Sequence, residues 1–320
     1  MQVPRFFQLH QVDSVALADE ARAGLLASPA QVSPKFLYDP LGSRLFDAIT
    51  ELDEYYPTRT EAAVFAAQAD EIAAVVHQRL GARPTLVDLG AGNCAKAAGL
   101  FASLTPQRYV AVDISVAFLQ DALTRLQRQH AEIDMVGVGL DFSEQLALPD
   151  ELLHGPSLLF YPGSSIGNFA PDDALRLLRQ AHALSQGGAL LIGVDLVKPE
   201  PLLQAAYDDA LGVTAAFNLN LLRHLNQLLG ADFQPRDWRH VALFNPALSR
   251  IEMHLQAREQ LSVHWPGGER VFAAGERLHT ENSYKWTPDG FAALLQQAGF
   301  SHVHRWTDAK GWFGVMLAEA

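Results

Sequence analysis

Val87-Asp88-Leu89-Gly90-Ala91-Gly92-Asn93-Cys94-Ala95-Lys96 is the stretch that decides the fold. A short apolar run over 85–89 ends in two glycines and gives way to a helical pattern over 94–104. Glycines at such a strand-to-helix turn let a ligand approach the backbone closely. The same change of period recurs downstream. Residues 108–112, 133–138, 157–161 and 189–194 are further apolar runs, separated by helical segments at 116–130, near Glu144, and at 172–184. Strands alternating with helices predict a parallel sheet covered on both faces and joined by right-handed crossovers, a doubly wound α/β fold.

Upstream, 13–27 and 42–50 read as helices, and a long helix is expected over 60–80. Thr58 and Glu61 have the spacing of a capping box at its start. Downstream, Pro199 and Pro201 break the α/β alternation. Helices are expected at 202–210 and 217–229, then strands at 238–244, 250–258 and 260–265. In the second of these strands Ile251, Met253 and Leu255 alternate with Glu252, His254 and Gln256, the period of a half-exposed strand. An insertion with its own antiparallel sheet follows from this. A last helix over 288–299 and strands at 303–306 and 313–317 return to the core.

The composition sets outer bounds. With 320 residues the chain exceeds what one core usually serves, so two interlocked domains are expected. The 36 acidic and 24 basic side chains leave a net charge of −12, which argues against nucleic acid as a partner. A single cysteine, Cys94, rules out an internal disulfide and points to a reducing compartment. The segment from Met1 to Asp13 lacks a secretory pattern, and no run approaches the ~18 apolar residues of a membrane span. A cytoplasmic protein is expected.

Three positions at strand ends suit one ligand. Gly90 and Gly92 form the turn, Asp113 stands about twenty residues on where a carboxylate accepts from ribose hydroxyls, and Asp141-Phe142 offers an acid and an aromatic to an adenine. Each also has a plainer reading, as a tight turn, a helix cap or a turn residue. The short motif without the lysine context of a phosphate loop favours S-adenosylmethionine, and Lys96 could serve its carboxylate. His302-Val303-His304, His254 and His264 share no metal-ligand spacing with cysteine or carboxylate, so no metal is expected.

Longer motifs are more specific. They are Tyr38-Asp39-Pro40-Leu41-Gly42-Ser43-Arg44-Leu45-Phe46, Tyr55-Tyr56-Pro57-Thr58-Arg59, Phe160-Tyr161-Pro162-Gly163-Ser164-Ser165-Ile166-Gly167-Asn168-Phe169, Ala206-Tyr207-Asp208-Asp209-Ala210, Gly212 to Asn218, Arg250-Ile251-Glu252-Met253 and Thr280-Glu281-Asn282-Ser283-Tyr284-Lys285. Together they resemble the histidine-specific Nα-methyltransferases of ergothioneine biosynthesis, from about Val32 to the C-terminus. The resemblance implies a class I methyltransferase sheet, Rossmann-like, with an inserted α+β substrate-binding domain. Residues 1–59 and 196–286 would then form the substrate domain, and 60–195 with 287–320 the core.

The resemblance also assigns residues. Asn168 and Tyr207 match those that hold the amino acid's carboxylate, and Tyr56 and Gly163 match residues close to its amine. Glu281 and Ser283 match the pair that binds the imidazole, with Tyr38 and Met253 elsewhere in that pocket. Gly90, Gly92, Lys96, Asp113, Asp141 and Phe142 fall to the cofactor, S-adenosylmethionine. Cys94 and Tyr284 depart from common family residues without touching an assigned position. The activity implied is methylation of the α-amine of free L-histidine up to the trimethylated betaine, by a monomer without a membrane or nucleic-acid partner. Another free amino acid, a modified histidine, or a cofactor-binding module without turnover are the alternatives. Taken singly, Tyr207 and Met253 read as core and Asn168 and Glu281 as loop residues.

The residue types fit that chemistry. Asn and Tyr donors hold a carboxylate without adding a cation beside a sulfonium. Glu281 can accept an imidazole N–H, and Ser283 can donate to or accept from the other ring nitrogen. No strong base stands in the motifs, so positioning is expected to supply most of the rate.

Overall fold

A computed structural model describes residues 3–9, 13–114, 116–143 and 145–320. The helical turn expected near Glu144 falls on a position outside the described residues, as does part of the Met1 to Asp13 segment. The chain divides into two units. One holds the N-terminal strand, Arg59–Leu196 and Trp286–Ala320; the other holds the segment that follows that strand up to Thr58, with Val197–Lys285.

The first unit is built on strands β1 (Arg5–Gln8), β2 (Thr85–Leu89), β3 (Arg108–Asp113), β4 (Asp134–Gly139), β5 (Ser157–Tyr161) and β6 (Ala189–Asp195). The second contributes β7 (Trp238–Asn245), β8 (Arg250–Ala257), β9 (Leu261–Trp265), β10 (Gly268–Phe272) and β11 (Arg277–Tyr284), before β12 (Ser301–Thr307) and β13 (Phe313–Glu319) return to the first. The core sheet runs β1-β4-β3-β2-β5-β6-β13-β12. All neighbours are parallel except β13, which is antiparallel to β6 and to β12.

Alternation along these strands sorts side chains onto two faces. Val87, Val110, Val136, Leu159 and Leu190 share one apolar cluster with the Pro171–Leu184 and Pro288–Gln297 helices. Leu86, Tyr109, Met135, Leu158 and Leu191 share the other with Val64, Phe65, Ile72 and Val76 of the Tyr56–Leu80 helix and Leu119 and Leu123 of Val116–Gln129. The doubly wound reading holds. Each side chain fully withdrawn from water contributes about 1.5–3 kcal/mol.

Several details differ from expectation. The strand Arg5–Gln8 pairs with β4, so the head of the 1–59 segment belongs to the core sheet and not to the second unit. The helix expected over 94–104 is two short ones, Ala95–Ala98 and Phe101–Leu104, since Gly99 and Leu100 between them cap rather than continue. The long helix starts at Tyr56, with Pro57 in its first turn, where a missing N–H costs nothing. Thr58 therefore lies inside the helix, and Glu61 does not close a capping box.

In the second unit β11, β8 and β7 form an antiparallel sheet, and β9 and β10 a hairpin. Ile251, Met253, Leu255 and Ala257 are buried as the alternation predicts, and His254 is buried as well. The strands β10 and β11 have no counterpart in the sequence reading, because their residues are largely polar. Between His279 and Glu281 the β11–β8 register shifts by one residue. Helices Ser14–Leu26, Pro40–Thr50, Glu200–Ala205 and Val213–Leu229 complete the unit, the third ending five residues short of its expected limit.

Candidate active site

In the first unit the turn after β2 carries three left-handed residues: Gly90, Gly92 and Cys94 have φ of 73°, 52° and 62°. The amides of Gly90 and Ala91 both donate to the Val112 carbonyl, and the amide of Gly92 donates to Asp113 Oδ2 at 3.0 Å. A Cβ built on Gly90 would lie 3.7 Å from Phe142 Cζ, so Gly90 and Phe142 are neighbours. Phe142 stands edge-on to Tyr161, 5.8 Å between ring centres. Asp141 accepts from the amide and hydroxyl of Ser143, which makes it a turn former at least. The adjacent strands β2, β3 and β4 thus bring Gly90, Gly92, Asp113, Asp141 and Phe142 to one end of the sheet.

Beneath this turn lie groups that the sequence reading did not single out. Asp88 is buried, accepts from Tyr109 Oη at 2.7 Å, and has a second oxygen without a hydrogen bond. Burial pushes its carboxyl up to about 7, against the Tyr109 hydrogen bond. Burial likewise pushes the Cys94 thiol up to about 12, which keeps it from acting as a nucleophile.

Glu61 is 1% exposed and joins three elements. Its Oε2 pairs with Lys96 Nζ at 2.6 Å, and its Oε1 accepts the Gly163 N–H at 2.6 Å. Gly163, with φ of 80°, follows β5 and leads into the 3-10 turn Ser165–Asn168, whose last residue is half-buried. A Cβ on Gly163 would sit 3.0 Å from Lys96 Nζ. Lys96 and Gly163 are therefore brought together by Glu61, whose spacing in the sequence resembled a cap.

In the second unit Tyr207, Ser283 and Lys285 form a buried polar triangle. Ser283 Oγ lies 2.7 Å from Tyr207 Oη, and Lys285 Nζ donates to both, at 2.8 Å to Ser283 and 3.1 Å to Tyr207. Glu281 stands two residues before Ser283 on β11, opposite Met253 of β8. It is 6% exposed, and its Oε2 is buried with no hydrogen-bond partner. Loss of solvent pushes its carboxyl up to about 8, against the pull of Lys285. Glu281 is thus a strand residue and not the loop residue that it reads as when taken alone.

Tyr56 accepts from Lys198 Nζ at 2.9 Å, and both are buried. Its neighbour Tyr55 stands edge-on to Tyr207 at 6.2 Å. Tyr38 packs edge-on to Phe46 and Phe217, 5.6 and 5.5 Å between ring centres. Asp39 caps the Pro40–Thr50 helix at Gly42 N, and Asn220 donates to the same oxygen. Neither Lys198 nor Lys285 was singled out, although Lys285 closes a quoted motif. A lysine reads as a solvated surface residue unless its burial is known.

Among the described residues no cluster of three His, Cys, Asp or Glu side chains is arranged to hold a metal ion. His254 is held down to about 4 chiefly by burial, and His304 lies 3.7 Å from Glu319 at the far edge of the core sheet. No described helix is long and apolar enough to cross a membrane.

Comparison with known proteins adds to this geometry. The model of a family described as histidine-specific, S-adenosylmethionine-dependent methyltransferases matches residues 17–320. Histidine N-alpha-methyltransferase of Mycolicibacterium smegmatis is 41% identical over 310 residues, covering 95% of this chain and 94% of that protein. The protein of the same name from Mycobacterium tuberculosis is 39% identical over 312 residues, with 95% of each covered. Ergothioneine biosynthesis protein 1 of Neurospora crassa is 29% identical over 302 residues, 91% of this chain and 33% of that longer protein.

Proposed function

The chain belongs to the histidine-specific, S-adenosylmethionine-dependent methyltransferase family, and on that premise we propose that it methylates the α-amine of free L-histidine, up to the trimethylated betaine, as the first step of ergothioneine biosynthesis. The observation that carries this reading is the pair Glu281 and Ser283. Both are buried polar side chains on one strand, and Glu281 has an oxygen with nothing to bond. An orphaned buried carboxyl costs about 1–3 kcal/mol or more, a cost that a ligand's ring nitrogen removes. An amino acid without ring nitrogens leaves that cost in place, which gives selectivity for histidine.

The cofactor turn fits S-adenosylmethionine. Gly90 leaves open the space that a Cβ would take beside Phe142, and Asp113 already faces the turn through Gly92. Gly90, Gly92, Asp113, Asp141 and Phe142 would hold the adenosine portion, and Lys96 its carboxylate. When bound, S-adenosylmethionine supplies the methyl group to the amine. Asn168 and Tyr207 would hold the substrate carboxylate, Tyr56 and Gly163 would stand near its amine, and Tyr38 and Met253 would pack around the ring. The second unit would then be the substrate domain. Fixing carboxylate, amine and ring at once sets the amine in line for displacement, which is where most of the rate originates.

The test is direct. Purified protein incubated with histidine and S-adenosylmethionine should yield mono-, di- and trimethylhistidine by mass spectrometry, with histidine preferred in a mixture of free amino acids. Preference for another amino acid would replace the substrate. Cofactor binding without any methylated product would replace the enzyme with a binding module.

A further inference from the structure

Lys285 has no part in the site as the family resemblance assigns it, yet its amine lies at the junction of the two hydroxyls that do. Hydrogen counting around it constrains what the ring-reading groups can do. An ammonium has only donors, so Ser283 Oγ and Tyr207 Oη each give one lone pair to Lys285. The two oxygens are 2.7 Å apart, a distance that requires one hydrogen between them. Each hydroxyl has a single hydrogen. In the ligand-free structure that hydrogen is Tyr207's, donated to Ser283 Oγ; when Tyr207 turns it to the substrate carboxylate, the shared hydrogen must come from Ser283. Ser283 then has nothing left to donate and one lone pair left to offer.

We propose that Lys285, by clamping Tyr207 and Ser283 together, makes Ser283 an acceptor for a ring N–H, so that histidine is bound with one proton held between its other ring nitrogen and Glu281. This rests on the proposed function and deepens it. The ring nitrogen facing Ser283 carries hydrogen; the one facing Glu281 either receives the carboxyl proton as a hydrogen bond or takes it outright. No atom is gained or lost in either case. The empty site already favours this inventory, because burial keeps Glu281 protonated to about pH 8 while free imidazole is neutral above about 6.5.

The other titratable groups nearby are otherwise engaged. Lys285 is the charge that acts on Glu281. The register shift before Glu281 puts His279 and Asn282 on the face shared with Glu252 and His254, where His279 Nε2 meets Asn282 Oδ1 at 2.9 Å and His254 Nε2 meets Glu252 Oε2 at 3.2 Å. Asp209, just beyond Tyr207, accepts from the Val213 and Thr214 amides.

The experiment is histidine binding to the full-length protein by calorimetry at pH 7.3, in buffers of different ionisation enthalpy, to count protons exchanged. Glu281→Gln keeps a donor toward the ring but cannot titrate, so subtracting its count removes any contribution from the α-amine. The expected difference, wild type minus Glu281→Gln, is close to zero protons. A difference near one proton released by the wild type would show Glu281 binding as a carboxylate against a neutral ring, and would overturn the proposal. At pH 9 the wild type should weaken about tenfold, one pH unit above the carboxyl's titration, while Glu281→Gln holds its affinity. Failure of Glu281→Gln to bind histidine also overturns it, since a donating amide should replace a donating carboxyl. Lys285→Met should move the proton count toward one released, and Lys285→Arg should restore it; an unchanged count in Lys285→Met removes Lys285 from the role. Absence of histidine binding by the wild type is a different result, and it sinks the parent function.

Discussion

Each unit buries a glutamate, and the two are treated in opposite ways. Glu61 in the first unit is closed: one oxygen takes Lys96 and the other the Gly163 amide. Glu281 in the second is open, with one oxygen buried and unbonded. Burial is nearly the same, 1% against 6%, so exposure does not separate them. Partnership does. A buried carboxyl with both oxygens hydrogen-bonded holds a scaffold together, whereas one with an oxygen left unsatisfied is a cost that persists until a ligand arrives.

The largest effect that would break this comparison is on stability. Glu281 has a folded-state pKa of about 8, above the 4.5 of an ordinary glutamate. Its contribution is therefore fully present below about pH 4.5 and is lost as pH rises through 8, because the unfolded chain ionises first. Denaturant unfolding of the wild type against Glu281→Gln should show the wild type losing stability on the order of 5 kcal/mol between those limits relative to the variant. Parallel profiles would mean that Glu281 is paired after all.

The closed glutamate gives a smaller effect with a different signature. A Cβ on Gly193 would fall 2.0 Å from Glu61 Oε1 and 3.0 Å from the Phe313 ring. Gly193→Ala should cost about 1–3 kcal/mol in unfolding experiments and weaken S-adenosylmethionine binding through Lys96, with histidine specificity unchanged. A stable variant with normal cofactor affinity would deny Glu61 its scaffolding part. The smallest effect concerns backbone alone. Gly90→Ala puts a side chain at φ 73° but meets Phe142 only at ordinary contact distance. It should cost about 1–2 kcal/mol, read as a roughly tenfold rise in the KM for S-adenosylmethionine without change in the KM for histidine.

The same contrast explains what could be read from sequence. The cofactor turn was legible because glycines at left-handed positions leave a mark in composition, and because β2 to β6 are nearly unbroken apolar runs. Cys94 was not recognised as a third left-handed residue, since no composition rule marks a cysteine there. Glu61 was visible only as a spacing from Thr58, and a spacing cannot tell a cap from a side chain reaching residue 163. The second unit was harder. Strand β11, Arg277–Tyr284, reads Arg-Leu-His-Thr-Glu-Asn-Ser-Tyr, a polar string whose burial comes from its partners and not from its own pattern. Its residues are legible through family resemblance, whereas the part of Lys285 depends on distances in the folded chain that no sequence pattern encodes.

The one-residue shift between His279 and Glu281 has a bearing on how selectivity can change. Strand side chains alternate, so the extra residue sets the phase of everything after it. Glu281, Ser283 and Lys285 behave as one reading frame, and His279 with Asn282, Glu252 and His254 as another. Exchanging residues within the first frame rewrites what the pocket accepts and leaves the second frame's hydrogen bonds alone. Deleting Thr280 removes the extra residue and leaves Glu281 opposite Met253, whereas deleting Asn282 would swap the phase beyond it, presenting Tyr284 where Ser283 now stands. Past Thr280 a new substrate is reached by substitution, and an insertion or deletion erases the old one.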